Sequence, residues 1–99
     1  MSDPFFSIIT VCKNSEKNIQ TCLDSIYNQS INDYEHIIQD GFSSDKTLLI
    51  IKKNKINNTK VFTQKDKGIY DALNKAILKC KGEYFIILHS DDRLYDDQV

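Results

Sequence analysis

Four short apolar segments alternate along this chain with three stretches whose apolar residues recur at helical spacing. The predicted strands are Phe6–Cys12, Tyr34–Gln39, Lys60–Thr63 and Tyr84–His89. The first of these is almost entirely apolar or β-branched, which is typical of a strand buried on both faces of a parallel sheet. The last is also predicted to be a buried strand. The apolar faces of the predicted helices run from Ile19 to Tyr27, from Leu48 to Ile51 and from Ile69 to Cys80.

Capping residues are expected at the ends of these helices. Ser15 offers an N-cap to the first helix, and Ser43 or Ser44 offers one to the second. Gly82 stands where a C-terminal cap of the third helix belongs.

The order β-α-β-α-β-α-β implies a parallel sheet with right-handed crossovers and helices on both faces. Such a unit is the nucleotide-binding half of a doubly wound α/β fold, with the usual strand order 3-2-1-4. Ligands bind beside the carboxyl ends of the strands, where the winding reverses between the first and the fourth. The segments expected to converge there are Cys12-Lys13-Asn14, Asp40 and His89-Ser90-Asp91-Asp92.

The composition is that of an ordinary globular domain, with 40% hydrophobic and 27% charged residues. A net charge of −1 argues against a nucleic-acid partner. The longest apolar run, Tyr84–Leu88, is far shorter than the ~20 residues of a membrane span. The N-terminus lacks the layout of a signal peptide, and the three cysteines form no CxxC pair. These features predict a cytoplasmic protein with reduced thiols and no transmembrane segment.

The common phosphate-binding loops are missing from the sequence. There is no GxxxxGK[ST] and no GxGxxG, and the chain has only three glycines. A bound diphosphate would therefore need another source of positive charge. Asp91 and Asp92 are hard oxygen ligands suited to Mg²⁺ or Mn²⁺, which in turn bind a diphosphate. The alternative is that Ser90-Asp91-Asp92 caps a following helix or turn.

Four sequence blocks, in register over nearly the whole chain, resemble family-two glycosyltransferases. They are SIITVCKNSEKNIQTCLDSIYNQS, HIIQDGFSSDKTLLIIKK, KDKGIYDALNKAI and KGEYFIILHSDD. The resemblance is strongest to bacterial enzymes that build surface polysaccharides, and it implies the Rossmann-like half of a GT-A fold.

The resemblance also implies which residues bind the donor. The residues expected around the nucleotide sugar are Val11, Lys13, Asn14, Asp40, Asp66, Lys67, Gly68, Ser90 and Asp91. Among them, Asp40 is expected beside the base, and Ser90 and Asp91 beside the ribose and the diphosphate. The metal ligands are expected to be Asp91 and Asp92, with Asp92 the more direct one.

Three departures from the family pattern affect these expectations. Lys13 stands where an aromatic residue is common, and it could meet a phosphate instead of stacking on the base. Gly41 replaces the second of two acids, which leaves Asp40 alone for base recognition. His89 and Ser90 replace the front half of a fuller Asp-x-Asp-Asp motif.

The implied reaction is transfer of a sugar from a nucleoside diphosphate, expected to be UDP, to an acceptor hydroxyl with inversion. The acceptor is expected to be a glycan or a lipid-linked molecule that binds to residues beyond Val99. The general base is expected among those residues as well. Residues 1–99 would then be the donor-binding part of a longer enzyme, which could lie at the inner face of the cell membrane. The fourth strand is expected to be an exposed sheet edge in such a part, which could favour self-association.

Two other functions stay open at this point. One is a nucleotide-binding module without transfer chemistry, which would bind nucleotides without discriminating between sugars. The other is a metal-dependent nucleotidyltransferase on a similar half-fold, which would have a basic or glycine-rich loop after the first strand.

Overall fold

Seven elements form in the predicted order. A computed structural model describes residues 5–28, 33–54 and 58–89. The strands are β1 (Phe6–Cys12), β2 (Tyr34–Asp40), β3 (Thr59–Thr63) and β4 (Tyr84–His89). The helices are α1 (Ile19–Tyr27), α2 (Thr47–Asn54) and α3 (Ile69–Ile77). No helix in these ranges is long and apolar enough to cross a membrane.

The sheet is parallel throughout, in the order β3-β2-β1-β4, which confirms the predicted topology. Cys12 of β1 pairs with Asp40 of β2, and Val11 pairs with His89 of β4. The carboxyl ends of these three strands are therefore level at one edge. The loops that follow them start side by side.

Alternate residues of the central strands enter two different cores. The core on the α1 and α2 side includes Ile8, Cys12, Leu23, Ile38 and Ile51, all at most 5% exposed. The core under α3 includes Ile9, Val11, Ile37, Ala72 and Ala76, which are equally buried. Helices cover both faces, as the pattern predicts.

The prediction that β4 is a buried strand holds for one face only, and the prediction that it forms an exposed edge of the sheet is confirmed. β4 is an edge strand, and its Phe85 and Ile87 are 48% and 53% exposed. These side chains lie on the α3 side of the sheet, where α3 packs mainly on β1 and β2. On the other side Leu88 is only 5% exposed, because it packs with Ile8 under α1. Self-association through this edge stays a prediction.

The N-caps lie elsewhere than predicted, because turns precede both helices. α1 begins after Asn18, and the Ser15 carbonyl accepts hydrogen bonds from the Asn18 and Ile19 N–H groups at 3.0 and 2.8 Å. Ser15 thus forms the turn before the helix. At the start of α2, Asp45 Oδ1 accepts the Thr47 N–H at 2.9 Å, in place of Ser43 or Ser44.

Gly82 is not the C-cap of α3, which ends at Ile77 with Leu78 as its cap. Its N–H instead donates to Ser7 Oγ at 2.8 Å. A Cβ at Gly82 would lie 2.6 Å from the Phe6 carbonyl carbon and from the Ser7 nitrogen. The glycine is needed because the loop before β4 passes directly against the start of β1.

A neutral histidine is buried between the sheet and α1. The side chain of His36 is fully buried, and its Nε2 lies 2.8 Å from Thr10 Oγ1. Its ring packs edge-on to Tyr27 with centroids 6.0 Å apart. Within the described residues, Nδ1 has no hydrogen-bond partner. Burial lowers the pKa of His36 to about 3.

Acidification should therefore destabilise the fold through His36. The unfolded chain takes up a proton near pH 6.5 while the folded chain stays neutral, so the lowered pKa gives a stabilisation that is complete above pH 6.5 and decreases down to about pH 3. Between pH 7 and pH 5.5 we expect a loss of about 1 kcal/mol in the free energy of unfolding. Urea denaturation at several pH values measures it.

His36→Gln should remove this pH dependence, whereas His89→Gln, the matched control, should keep it. An unchanged slope in His36→Gln would assign the effect to another group.

Candidate functional site

A cleft of about 550 Å³ opens at the carboxyl edge of the sheet, between the end of β1 and the start of α3. Its lining residues are Val11, Cys12, Lys13, Asp66, Lys67, Gly68 and Ala72. Five of them belong to the predicted donor site: Val11, Lys13, Asp66, Lys67 and Gly68. The structure brings these five residues together from two loops that are more than fifty positions apart. Their contacts with a ligand stay predictions.

The cleft combines an apolar wall with a positively charged rim. Val11 and Ala72 are at most 4% exposed and belong to the core under α3. Lys13 and Lys67 are exposed, and α3 begins at Ile69, two residues after Lys67. The partial positive charge of a helix N-terminus adds to that of the two ammonium groups. Such a surface attracts an anion attached to a flat or apolar group.

Local hydrogen bonds fix the conformation of the loop that enters α3. Gly68 has a φ of 130°, which favours glycine, and its N–H donates to Asp66 Oδ1 at 3.1 Å. The Lys67 N–H donates to Asp71 Oδ2 at 2.8 Å, and Lys75 Nζ lies 3.0 Å from the same oxygen. The hydrogen bond from Lys75 and that from Lys67 lower the pKa of Asp71. The loop is therefore preformed by its own side chains.

Gly41 explains how the two loops approach one another. A Cβ at this position would lie 2.6 Å from Asp66 Oδ2 and 3.4 Å from Lys13 Cβ. The missing side chain leaves the space that the Asp66 carboxylate occupies. Replacement of an acid by Gly41 thus has a steric consequence that the sequence pattern does not show.

Asp40 is fully buried, and its carboxylate is hydrogen-bonded by the protein. Oδ2 accepts the Ser43 N–H and the Thr63 hydroxyl, both at 2.9 Å. Oδ1 accepts the Ser43 hydroxyl, and the Cys12 thiol donates to it at 3.5 Å. Burial and the nearby carboxylate raise the pKa of that thiol, which keeps its proton. Asp40 organises the turn after β2, and its role in base recognition stays a prediction.

Asn14 connects the loop after β1 to the loop after β2. Its φ of 50° is tolerated by asparagine. Its N–H donates to Ser43 Oγ at 2.8 Å, and its Oδ1 accepts the Ser44 N–H at 2.8 Å. The structure places Asn14 next to the cleft lining, where it holds the loops together; contact with a nucleotide stays a prediction.

Sequence reasoning missed Phe42. Its φ is 64° and its side chain is 60% exposed. A bulky residue in this backbone region costs about 1–3 kcal/mol, and such residues cluster at ligand sites. The available signal was a large aromatic residue inside the turn Asp40-Gly41-Phe42-Ser43, where small residues predominate.

The candidate metal ligands lie outside the described residues, as does Ser90. The strand that leads to them ends at His89, which pairs with Val11 in the cleft wall. Over 5–28, 33–54 and 58–89, no three His, Cys, Asp or Glu side chains cluster closely enough to hold a metal ion.

The parallel 3-2-1-4 sheet with helices on both faces is the Rossmann-like half of a GT-A fold. The structure is similar to that of TarS residues 1–349 from S. aureus in complex with UDP-GlcNAc, with a TM-score of 0.84 and 34% identity. This match covers 90% of the present chain and 27% of TarS 1–349.

The family model described as "Glycosyl transferase family 2" matches residues 7–99, and the chain belongs to this family. It is 35% identical over 99 residues to the PGL/p-HBAD biosynthesis glycosyltransferase of Mycobacterium bovis. It is 41% identical over 98 residues to chondroitin synthase of Escherichia coli. Each match covers 97% of this chain, but only 39% and 14% of the two relatives.

Alanine at Gly41 and alanine at Gly82 should have unequal costs. Gly82→Ala pushes a methyl group into the backbone of β1, so we expect a loss of about 2 kcal/mol or more in the free energy of unfolding. Gly41→Ala meets only the Asp66 carboxylate, which can rotate away, so the loss should stay below about 1 kcal/mol. Urea denaturation of both variants measures the difference.

Equal losses in the two variants would contradict this assignment, since they would mean that the Asp66 side chain is as fixed as backbone.

Proposed function

We propose that this chain binds the donor of an inverting glycosyltransferase that transfers a sugar from a UDP-linked donor to an acceptor hydroxyl. The acceptor is a glycan or a lipid-linked saccharide, and the pathway builds a polysaccharide or another glycan. We assign donor and cation binding to residues 1–99 and no general base. The proposed location is the cytoplasm or the inner face of the cell membrane. The reason is that nucleotide sugars are cytoplasmic substrates of the bacterial enzymes that the chain resembles.

The convergence of two loops, one after β1 and one before α3, on a charged cleft carries this proposal. Val11 and Lys13 follow from β1, and Asp66, Lys67 and Gly68 enter α3 opposite them. The cleft has the volume of small-molecule sites, which are usually 300–1,000 Å³. It lies at the switch point where α/β sheets bind their ligands.

The positively charged rim of the cleft would bind the negatively charged diphosphate of the donor. Lys13 and Lys67 are both exposed there, one on each loop. Their ammonium groups would neutralise the phosphates of the bound donor and the charge that grows on the departing nucleoside diphosphate. Catalysis in this half of the enzyme is therefore electrostatic.

Asp91 and Asp92 would hold a divalent cation. They directly follow His89, whose strand ends beside Val11, and carboxylate oxygens fit Mg²⁺ or Mn²⁺. The bound ion supplies Lewis-acid stabilisation of the leaving diphosphate. Ser90 and Asp91 would contact the ribose and the diphosphate, and Asp92 would be the more direct ligand.

Relatives support the donor class. TarS, 34% identical, was determined in complex with UDP-GlcNAc. The E. coli relative is a chondroitin synthase, and the mycobacterial one is a glycosyltransferase of PGL/p-HBAD biosynthesis. The last two names describe sugar transfer or glycan synthesis, and the TarS complex contains a nucleotide sugar, which together favour sugar transfer over nucleotidyl transfer.

Metal linkage tests the proposal. UDP should bind the 99-residue chain at least tenfold more tightly with Mn²⁺ than with EDTA, because a cation held by Asp91 and Asp92 would neutralise the charge of the diphosphate. Asp92→Asn should abolish this difference. Asp97→Asn, which removes the same charge five residues further on, is the matched control and should keep it. Isothermal titration calorimetry gives all six affinities, of three proteins with Mn²⁺ and with EDTA.

Equal UDP affinity with Mn²⁺ and with EDTA would contradict cation binding by Asp91 and Asp92 and would favour the alternative that they cap a following helix or turn. UDP binding without preference for UDP-GlcNAc or any other UDP-sugar would favour the nucleotide-binding module without transfer chemistry.

A further inference from the structure

We propose that Phe42 is the surface on which the nucleobase of the donor stacks, an inference that rests on the proposed nucleotide-sugar binding. The ring is 60% exposed in the turn between β2 and α2, so it is not needed to fill the core. Its φ of 64° is a conformation that favours glycine. An exposed aromatic residue kept in a strained conformation points to a ligand contact.

The surrounding hydrogen bonds prevent the turn from relaxing. On one side of Phe42, the Gly41 N–H donates to a β1 carbonyl at 2.8 Å. On the other side, the Ser43 N–H donates to Asp40 Oδ2 at 2.9 Å, and Ser43 Oγ accepts the Asn14 N–H at 2.8 Å. Both neighbours of Phe42 are therefore fixed, so the ring is attached to a preorganised loop. Little conformational entropy is lost when a ligand stacks there, because the loop is already ordered.

The turn borders the cleft on the side away from β4. The Cβ position of Gly41, the residue before Phe42, lies 3.4 Å from Lys13 Cβ in the cleft lining. β2 and β4 are separated by β1, which makes two inter-strand spacings, or about 10 Å. An extended nucleoside diphosphate whose phosphates lie near the end of β4 can span this distance and bring its base to the β2 turn.

The same geometry favours the base over the sugar as the partner of Phe42. In a nucleotide sugar, the base and the sugar are attached at opposite ends of the ribose-diphosphate unit. With the diphosphate near the end of β4, the intervening ribose lets the base reach the turn after β2, whereas the sugar is joined directly to the diphosphate. Every nucleobase offers a flat π-face, so stacking on Phe42 would add affinity with little discrimination between bases.

Four ligands separate the parts of the donor: UDP, GDP, UDP-GlcNAc and inorganic pyrophosphate, each with Mn²⁺. Phe42→Ala and Phe42→Gly should each weaken UDP, GDP and UDP-GlcNAc about tenfold, the size of one base–aromatic stack. Pyrophosphate, which has no base, should bind as to the wild type. Phe42→Tyr should retain the wild-type affinities because it keeps the ring. Calorimetry measures the affinities.

Comparison of Phe42→Ala with Phe42→Gly also distinguishes the effect of losing the ring from the effect of a change in stability. Glycine is unstrained at a φ of 64°, whereas alanine keeps the Cβ that causes the strain. Phe42→Gly should therefore unfold about 4 °C above Phe42→Ala. Loss of the same UDP affinity in two variants of different stability assigns the loss to the ring.

The remaining outcomes overturn the inference in distinguishable ways. Wild-type UDP affinity in Phe42→Ala would remove Phe42 from the site and leave the proposed function standing. Equal weakening of UDP and pyrophosphate would mean a disturbed loop rather than a lost stack. Weakening of UDP-GlcNAc with UDP unchanged would put the ring against the sugar. A wild-type chain that binds none of the four ligands overturns the proposed function together with this inference.

Discussion

The buried carboxylate of Asp40 is the interaction on which the candidate site depends. It accepts hydrogen bonds from the thiol of Cys12, from both donors of Ser43 and from the hydroxyl of Thr63. These partners belong to the end of β1, to the turn after β2 and to the end of β3. One side chain thus joins the ends of three parallel strands at the edge where the cleft opens. A buried carboxylate without such donors would cost several kcal/mol, so the loops are held in place by the need to satisfy it.

The cleft and the strained turn follow from this arrangement. With Ser43 held by Asp40 and by Asn14, the turn has one conformation, in which Gly41 faces Asp66 and Phe42 takes a positive φ. Asp66 can approach because position 41 has no side chain. The strain at Phe42 is tolerated because the surrounding hydrogen bonds outweigh it, which is the usual situation of strained residues at binding sites.

The uneven coverage of the sheet is the second constraint on the molecule. α1 and α2 bury one face of the central strands, while α3 covers mainly β1 and β2 on the other, so Phe85 and Ile87 of β4 remain half exposed. The chain spans 39% of its mycobacterial relative, and the activity of a whole enzyme is accordingly a proposal. Within the chain, two loops at the switch point beside β4 form a charged cleft.

The sequence by itself determined the strands, the approximate course of the helices and the parallel 3-2-1-4 order. β-branched apolar runs and helical periodicity are local properties, and the handedness of crossovers then restricts the topology. The strand ends predicted that the loops after β1, β2 and β4 would lie at one edge, whereas only the resemblance to a family named Val11 and the loop at Asp66–Gly68. Resemblance to a family supplied the ligand that such a cleft binds.

Only the tertiary structure decided which polar groups pair with one another. Ser43 binds Asn14, 29 positions away, instead of capping α2, and Gly82 lies against Ser7, 75 positions away, instead of capping α3. Likewise, the φ of Phe42 follows from the hydrogen bonds of its neighbours and not from its own preference. Local patterns record propensities, whereas caps, buried carboxylates and strained turns depend on partners that only the folded chain brings within hydrogen-bond distance.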